Sequence, residues 1–492
     1  QASRRQAQEE QPERKAGAGR EGSIPAGWAQ AGWWVLFLSW PLGSALPGML
    51  LILAAKAAQG WRRVWAWWGA PGARGPAQER REQQEPAAWP ARLAPAWPAR
   101  LAYVAVAGLV AAGLLSAVVV PRKDLATPLV WSAYAALMLG VTYVAARDLA
   151  RLEWQRLLPR LWWALIGGGT VASLYMVGAY ARAVYPHLLS SPLLSLPLLR
   201  IDGPFAGCNA MGTILAGVAG VGGAHLLDQP GRRRWLVAPF LLLVLGAEIV
   251  SFSRGGWIAF FLAVALLGMR QRRGGWILAA AAGAFALLVL SVPAVEARFL
   301  RIFNLADNQD RLDIWTTAWA MFAQRPLTGW GLGMFSVVSH RLALQMGLDP
   351  ARTKILWSYA HNIYLNAAAE TGVLGLASIL LLTLLPLWGA WRLYRARAPH
   401  LWGLFPALAG MLVHQQVDIP VLGAGVGGGF WALAGMAVAF GLLAWPRTQG
   451  GAGKAIPWAA TLAASVARNG ILPEERSRLR PPSGPEKPRW RR

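Results

Sequence analysis

The amino-acid sequence predicts an all-α polytopic membrane protein with about eleven or twelve transmembrane helices and one long extracytoplasmic helical segment. Three observations carry this. Apolar runs of about 17–25 residues, the length a helix needs to cross a bilayer, recur along the whole chain. Only 14% of its 492 residues are charged, against about a quarter in soluble domains, and mean hydropathy is +0.36. Alternating ten-residue β patterns are absent, which argues against an outer-membrane barrel.

The elements follow in order. Residues 1–26 are polar and of mixed charge, the composition of a disordered tail. Residues 27–58 form the first membrane segment. Its apolar stretch, Gly32 to Ala58, is interrupted by Pro41 and Pro47; it is long for one span and short for two, so a tilted helix and a tight helical hairpin both stay open. Residues 59–100 read as a basic cytoplasmic linker rich in Pro, Ala and Trp, with Trp-Pro-Ala-Arg at Trp89–Arg92 and again at Trp97–Arg100. Tryptophans there suggest a segment lying on the membrane surface. Residues 101–292 form a transmembrane bundle, with spans near 101–120, 127–146, 161–181, 205–227, 235–252, 257–269 and 276–292. Residues 293–371 read as one long extracytoplasmic segment, the side on which any catalysis is expected. Residues 372–445 are C-terminal transmembrane helices, near 372–391, 401–419 and 421–445, and residues 446–492 a basic cytoplasmic tail.

The net charge is +25. In a soluble protein this would point to nucleic acid. Here the arginines gather in short loops between apolar runs: Arg147, Arg151, Arg156 and Arg160; Arg232, Arg233 and Arg234; Arg270, Arg272 and Arg273; Arg392, Arg395 and Arg397. All four sets fall on one side if spans alternate, and the positive-inside rule makes that side the cytoplasm. Membrane lipids, not nucleic acid, are the expected partner. The other side holds Arg122 and Lys123, the 182–204 loop, the Ser253–Gly256 turn and the 293–371 segment. Cys208 is the single cysteine, so no intrachain disulfide is possible. No cleavable signal peptide is evident, and the chain opens at Gln1 without an initiator Met.

Three features converge on the outer face. In Ser253-Arg254-Gly255-Gly256-Trp257, Arg254 offers a planar fork of donors suited to phosphate, and the glycines allow a headgroup to approach; the plainer reading is an arginine snorkelling at the tip of two spans. Arg311 is a second candidate phosphate clamp, or else a surface ion pair with Asp307, Asp310 or Asp313. Those aspartates lack a metal-loop pattern, so no metal site is expected. Arg311 opens an amphipathic stretch with Leu312, Trp315, Trp319 and Phe322 at helical spacing, read as a cap on the outer membrane face. The third feature is His361, at the entrance of a helix on which Asn362, Asn366 and Glu370 are spaced i, i+4, i+8 on one face. A polar cluster running into the apolar segment from Gly372 to Trp391 is a functional-site hypothesis by default, and His361 is the candidate general base. His187 and His340 are weaker candidates. His414 and Asp418, i and i+4, either form a buried polar pair or line the site.

In this order, these residues resemble the O-antigen ligase and O-antigen polymerase superfamily of bacterial envelope glycosyltransferases. The matching positions are Ser253 through Trp257, Arg311 with Trp315, Pro326 through Phe335 with its Gly-Trp-Gly-Leu-Gly core, His361-Asn362, Glu370-Thr371-Gly372 and Asp418, with Leu115-Ser116-Ala117 and Gly203-Pro204-Phe205 with Asn209 as weaker ones. The resemblance spans about residues 100–445. It implies a GT-C-type enzyme of the bacterial cytoplasmic (inner) membrane, multi-pass, with its active site facing the periplasm or outside. The implied donor is a glycan on undecaprenyl pyrophosphate and the acceptor a lipid or glycan hydroxyl. His361 would be the catalytic base and Arg254 and Arg311 the pyrophosphate ligands, in a metal-independent, inverting transfer that needs no cofactor. Ligase, polymerase and protein O-oligosaccharyltransferase all remain open within the superfamily. A lipid-linked glycan transporter is the alternative of another class. It would need polar groups near mid-membrane and internal repeats, whereas here the polar groups sit at one face and no clear repeat is found.

Overall fold

The computed structural model describes residues 24–42, 47–52, 54–55, 58, 97–121, 124–149, 154–190, 199–271, 275–304, 306–348, 358–422 and 424–443. Most of the 1–26 tail, nearly all of the 59–100 linker and the whole 446–492 tail lie outside these residues. Every regular element described is helical: α1 (Ile24–Ser39), α2 (Trp97–Ala117), α3 (Ala126–Leu149), α4 (Trp154–Ser190), α5 (Cys208–Leu227), α6 (Val237–Ser251), α7 (Arg254–Arg270), α8 (Gly275–Ser291), α9 (Pro293–Leu300), α10 (Gln309–Gln324), α11 (Phe335–Gln345), α12 (Ile363–Arg395), α13 (Leu404–His414) and α14 (Ala424–Val438), with short 3-10 turns between some of them.

The chain is an all-α, multi-pass membrane protein. Among the described residues, four segments are individually long and apolar enough to cross a membrane: Leu157–Pro186, Cys208–Leu227, Gly231–Ser251 and Ile363–Arg395. A fifth is added if Leu278–Ser291 and Pro293–Leu300, bent by 106°, count as one. Other apolar runs are helical but shorter, such as Leu404–His414. The first apolar block is two helical pieces. A Cβ on Gly32 would meet Ile52, and one on Gly48 would meet Leu36, so α1 and the helical residues from Pro47 run antiparallel, as a hairpin.

Small residues set how closely the central helices approach. α5, α7 and α13 pack against one another. Added carbon at Gly212 would lie 3.0 Å from the Gly256 Cα, and at Gly220 only 2.4 Å from the Ala407 nitrogen. Lipid supplies no hydrophobic drive between helices, so this close van der Waals contact holds the bundle. Elsewhere α12 packs on α2, α14 on α3, and α4 on α6 and α1.

The described residues of the 293–371 segment form a small cap with a core of Ile314, Ala318, Met321, Phe335, Leu342, Ala343, Ala360 and Ala369. Helix α10 is apolar on two faces. Ile314, Thr317, Ala318 and Met321 face the protein, whereas Leu312 and Trp319, the latter 59% exposed, face outward. The stripe noted in the sequence is therefore split: Leu312 and Trp319 lie on the cap's outer surface, whereas Trp315 packs against its core.

Candidate active site

Two breaks in helical structure build the site. The first lies between α6 and α7. Phe252 takes a left-handed conformation (φ 48°) that ends α6, and the Ser253 side chain accepts from the Gly256 N–H to start α7. Arg254 thus occupies the first position of α7. A cation is unfavourable at the positive end of a helix dipole, and the same backbone geometry attracts anions. Three arginines brace this turn through neutral oxygens. Arg254 Nη1 donates to the Arg301 carbonyl at 2.7 Å, Arg298 Nε to the Phe252 carbonyl at 3.0 Å, and Arg200 Nε to the Ser251 carbonyl at 3.4 Å. Arg200 also donates to Asn209 Oδ1. α9 turns through 106° away from α8, which carries Arg298 out of the span. Burial pushes the Arg298 guanidinium down to about 10, and the charges of Arg254, Arg200 and Arg301 push the same way. A group of cations this close is poised for an anion.

The second break is in α12. Gly372 sits at φ 67°, ψ −161°, so Ile363–Thr371 and the longer run after it are separate helices. A break within apolar surroundings orphans backbone groups that need partners. The loop from Pro326 to Gly333 supplies them. Trp330 N–H donates to the Ala369 carbonyl (3.1 Å), Gly331 N–H to the Glu370 carbonyl (2.9 Å), and Val373 N–H to the Pro326 carbonyl (2.7 Å). The fit requires glycine at 329: φ is 65°, and a Cβ would lie 2.3 Å from the Glu370 carbonyl. Arg325 stacks over Trp330 at 3.9 Å, and Ser116 accepts from the Leu332 N–H at 3.1 Å. The Gly-Trp-Gly-Leu-Gly motif is therefore a backbone plug for the broken helix.

His361 lies just before this short helix, 7% exposed and with a left-handed backbone (φ 51°). For a non-glycine residue this costs roughly 1–2 kcal/mol, and its neighbours are pinned accordingly. Asn362 Oδ1 accepts from the Tyr364 and Leu365 N–H groups, both at 3.0 Å, while its Nδ2 donates to the Gln416 carbonyl. Ile363 N–H donates to the Gln415 carbonyl. Asn366 Oδ1 accepts from the Ala360 N–H (2.9 Å) and its Nδ2 donates to Glu370 Oε2 (3.0 Å); Glu370 Oε1 accepts from the Phe335 N–H (3.0 Å). Asn362 caps the helix and does not share a helical face with Asn366 and Glu370. All three hold backbone around His361.

His361 Nδ1 contacts Asp418 Oδ1 at 3.1 Å, and the same oxygen accepts from the Ile419 N–H at 2.8 Å. Asp418 lies past the end of α13. Burial alone would raise its carboxyl, but the His361 hydrogen bond and the charges of His361, His414 and Arg311 hold it below the usual carboxylate range. An ionised Asp418 places the imidazole proton on Nδ1 and the lone pair on Nε2, the arrangement a base needs. The paired reading of His414 with Asp418 gives way: the His414 ring bonds Thr213 and Ser253 instead, beneath the Arg254 turn.

Arg311 joins the two halves. It is half-buried, and its Nη1, which is fully buried, has no hydrogen-bond partner. Burial lowers its guanidinium, Asp418 and Tyr359 oppose this from one side, and Arg254 and Arg200 add to it from the other. The carboxylate it senses is Asp418, so the surface pair with Asp310 or Asp313 is not formed; Gln309 donates to Asp313 instead (2.8 Å). The Asp307 side chain lies outside the described residues, as does that of His187. His340 sits in α11 of the cap. A cavity of about 870 Å³ opens beside Tyr359 and Asp418, walled by Trp131, Tyr134, Phe205, Ile379 and Trp431, with Ser336, Ser358 and Asn366 among its polar lining. Among the described residues no group of three or more His, Cys, Asp or Glu is arranged to hold a metal.

Arg254, Arg311, His361 and Asp418 were legible in the sequence. Arg200, Arg298, Arg301 and Tyr359 were not. The i, i+3 spacing of Arg298 and Arg301, on the same side as Arg254, was the available signal; Tyr359 had only its adjacency to His361.

Residues 239–380 match the family model described as O-Antigen ligase. The match runs from α6 into α12 and covers the Arg254 turn, Arg298, Arg301, Arg311, the glycine plug, His361 and Glu370; Asp418 lies beyond it. No curated protein matches the chain.

Proposed function

From the premise that residues 239–380 belong to the O-antigen ligase superfamily, we propose that this protein is a ligase-type glycosyltransferase. It moves a glycan from undecaprenyl pyrophosphate to an acceptor hydroxyl on the periplasmic or outer face of a bacterial cytoplasmic membrane. The observation that carries this is Arg311, a half-buried arginine whose buried Nη1 is unpartnered, standing between a cationic helix start and a histidine–carboxylate pair.

In this reading the donor pyrophosphate lies against Arg254 and Arg311, with Arg200, Arg298 and Arg301 adding positive potential. His361 Nε2 takes the proton of the acceptor hydroxyl. The oxygen attacks the anomeric carbon from the side opposite the phosphate, the bond from that carbon to the phosphate oxygen breaks, and the electron pair leaves with the pyrophosphate. One displacement inverts the anomeric centre. The leaving charge develops where fixed guanidiniums already point, so no reorganisation is required at that moment. Asp418 stabilises the imidazolium that forms. The apolar walls of the adjacent cavity suit the lipid portion of a substrate.

The test is transfer in proteoliposomes from an undecaprenyl pyrophosphate-linked glycan to a lipid-linked sugar, with EDTA present, comparing wild type with His361→Ala. Chelator-resistant turnover that the folded variant lacks is the expected result. A ladder of growing product would instead favour a polymerase. A wild type that moves the lipid across vesicles without turnover would replace the enzyme reading with transport.

A further inference from the structure

We infer that Tyr359 is a positioning residue for the base, holding the His361 ring and the Asp418 carboxylate in register and tempering the negative charge that the imidazole feels. The inference rests on the reading of His361 as the base.

Tyr359 touches both members of the pair. Its ring lies 4.5 Å, centroid to centroid, from the His361 ring at an interplanar angle of 52°. Its hydroxyl is hydrogen-bonded to Asp418. It also lines the cavity that reaches Asp418, so it forms the wall between that space and the histidine. The left-handed backbone at His361 needs external support. Asn362 and Asn366 support the chain after and before it, and Asp418 meets the imidazole at Nδ1, whereas Tyr359 packs its ring against the imidazole ring.

The hydroxyl has an electrostatic consequence. Asp418 shares its charge among the His361 Nδ1–H, the Ile419 N–H and the Tyr359 O–H. The other charged or titratable groups on this node are Arg311, from α10, and His414, from α13. Each donor that draws on the carboxylate lessens its hold on an imidazolium. Removing the tyrosine hydroxyl concentrates the charge on His361 and raises the pH at which the imidazole gives up its proton. A base must be neutral to act, so the acidic limb of the rate profile moves to higher pH. Tyr359→Phe keeps the ring and isolates this effect; Tyr359→Leu removes the ring as well.

The experiment measures kcat/KM and kcat against pH in proteoliposomes, with the same polyprenyl pyrophosphate-linked donor and lipid-linked acceptor, for wild type, Tyr359→Phe, Tyr359→Leu and His361→Ala. For Tyr359→Phe, the acidic limb is expected to rise by about half to one pH unit, the effect of one hydrogen bond to a charged partner. The donor KM should stay within about twofold, because the arginines are untouched. Tyr359→Leu should lower kcat further at every pH. If His361→Ala is inactive while Tyr359→Phe has a wild-type profile, or a limb moved to lower pH, the positioning role is overturned and the base assignment stands. A monodisperse but wholly inactive Tyr359→Phe overturns it in favour of direct proton transfer by the tyrosine. Normal turnover by His361→Ala overturns the base assignment and this inference together.

Discussion

The two ends of helix α7 carry the same residue type under opposite conditions. Arg254 stands at its first position and Arg270 at its last, about 25 Å apart at 1.5 Å per residue. At the Arg270 end, cations meet helix C-termini, where the dipole favours them. Arg270 Nη2 donates to the Arg395 carbonyl (2.7 Å), and Arg397 Nη2 returns to the Arg270 carbonyl (3.1 Å), so two helix ends cap each other. The guanidiniums of Arg270, Arg392 and Arg395 lie over Tyr394, Trp388 and Trp391. Nearby, Asp228 accepts from Trp402 Nε1 through both oxygens. At the Arg254 end, cations crowd a helix start, burial and the neighbouring guanidiniums lower the proton affinity of Arg298, and Arg311 Nη1 is without a partner. Each end holds one buried guanidinium nitrogen without a hydrogen-bond partner, Arg270 Nε and Arg311 Nη1. The difference is the setting: helix C-termini and aromatic faces favour cations at one end, whereas a helix start, which favours anions, faces them at the other.

The sharpest way to break this contrast is at the base. His361→Ala should reduce transfer by about 10²–10⁴-fold, the range of general-base catalysis, read by turnover of a lipid-linked donor; it should also lower the melting temperature, because the buried Asp418 carboxylate loses its partner. Arg311→Gln comes next. Losing a charge-assisted contact of roughly 1.5–3 kcal/mol should lower kcat/KM by about ten- to a hundredfold or more, and raised inorganic pyrophosphate should inhibit this variant less than wild type. An Arg311→Gln enzyme with unchanged kcat/KM would falsify the comparison at its centre.

Gly329→Ala tests the helix plug and not the chemistry. The left-handed backbone and the clash with the Glu370 carbonyl predict a loss of about 1–3 kcal/mol, seen as a lower unfolding midpoint in detergent. Activity should fall in step, since Glu370 lies on the short helix that His361 immediately precedes. Asp418 adds a pH dependence. A carboxyl depressed by folding contributes stability that is complete above the ordinary carboxylate pKa of about 3.9 and is lost as pH falls through the lower folded value. Wild type should therefore lose stability more steeply than Asp418→Asn below about pH 4, measured by thermal melts across pH. The smallest effect belongs to the other end. Arg270→Gln should cost at most about 1 kcal/mol and leave transfer unchanged.

Much of this protein was legible in the residues because the bilayer simplifies the code. Long apolar runs can only be helices when no water is available to the backbone, so helix class and most helix positions followed from hydropathy. Arginine placement followed from the cost of charge in hydrocarbon, and Arg254, Arg311 and His361 stood out as costly polar groups at span ends. The breaks were only half legible. Gly372 marked a boundary, but that its orphaned carbonyls are met by Trp330 and Gly331 depends on a loop about forty residues earlier folding back. Asn362 read as part of a polar helical face, whereas the chain starts its helix one residue later and uses it as a cap. The choice of Asp418 for His361, with His414 turned to Thr213 and Ser253, could not be read from their i, i+4 spacing. Nor could the gathering of Arg200, Arg298, Arg301 and Tyr359 about the same point. Sequence determined which segments enter the membrane and which side chains are expensive there, because those terms are local. Tertiary structure decided which of them meet, because pairing depends on helices distant in the chain being brought into contact by glycine-mediated packing.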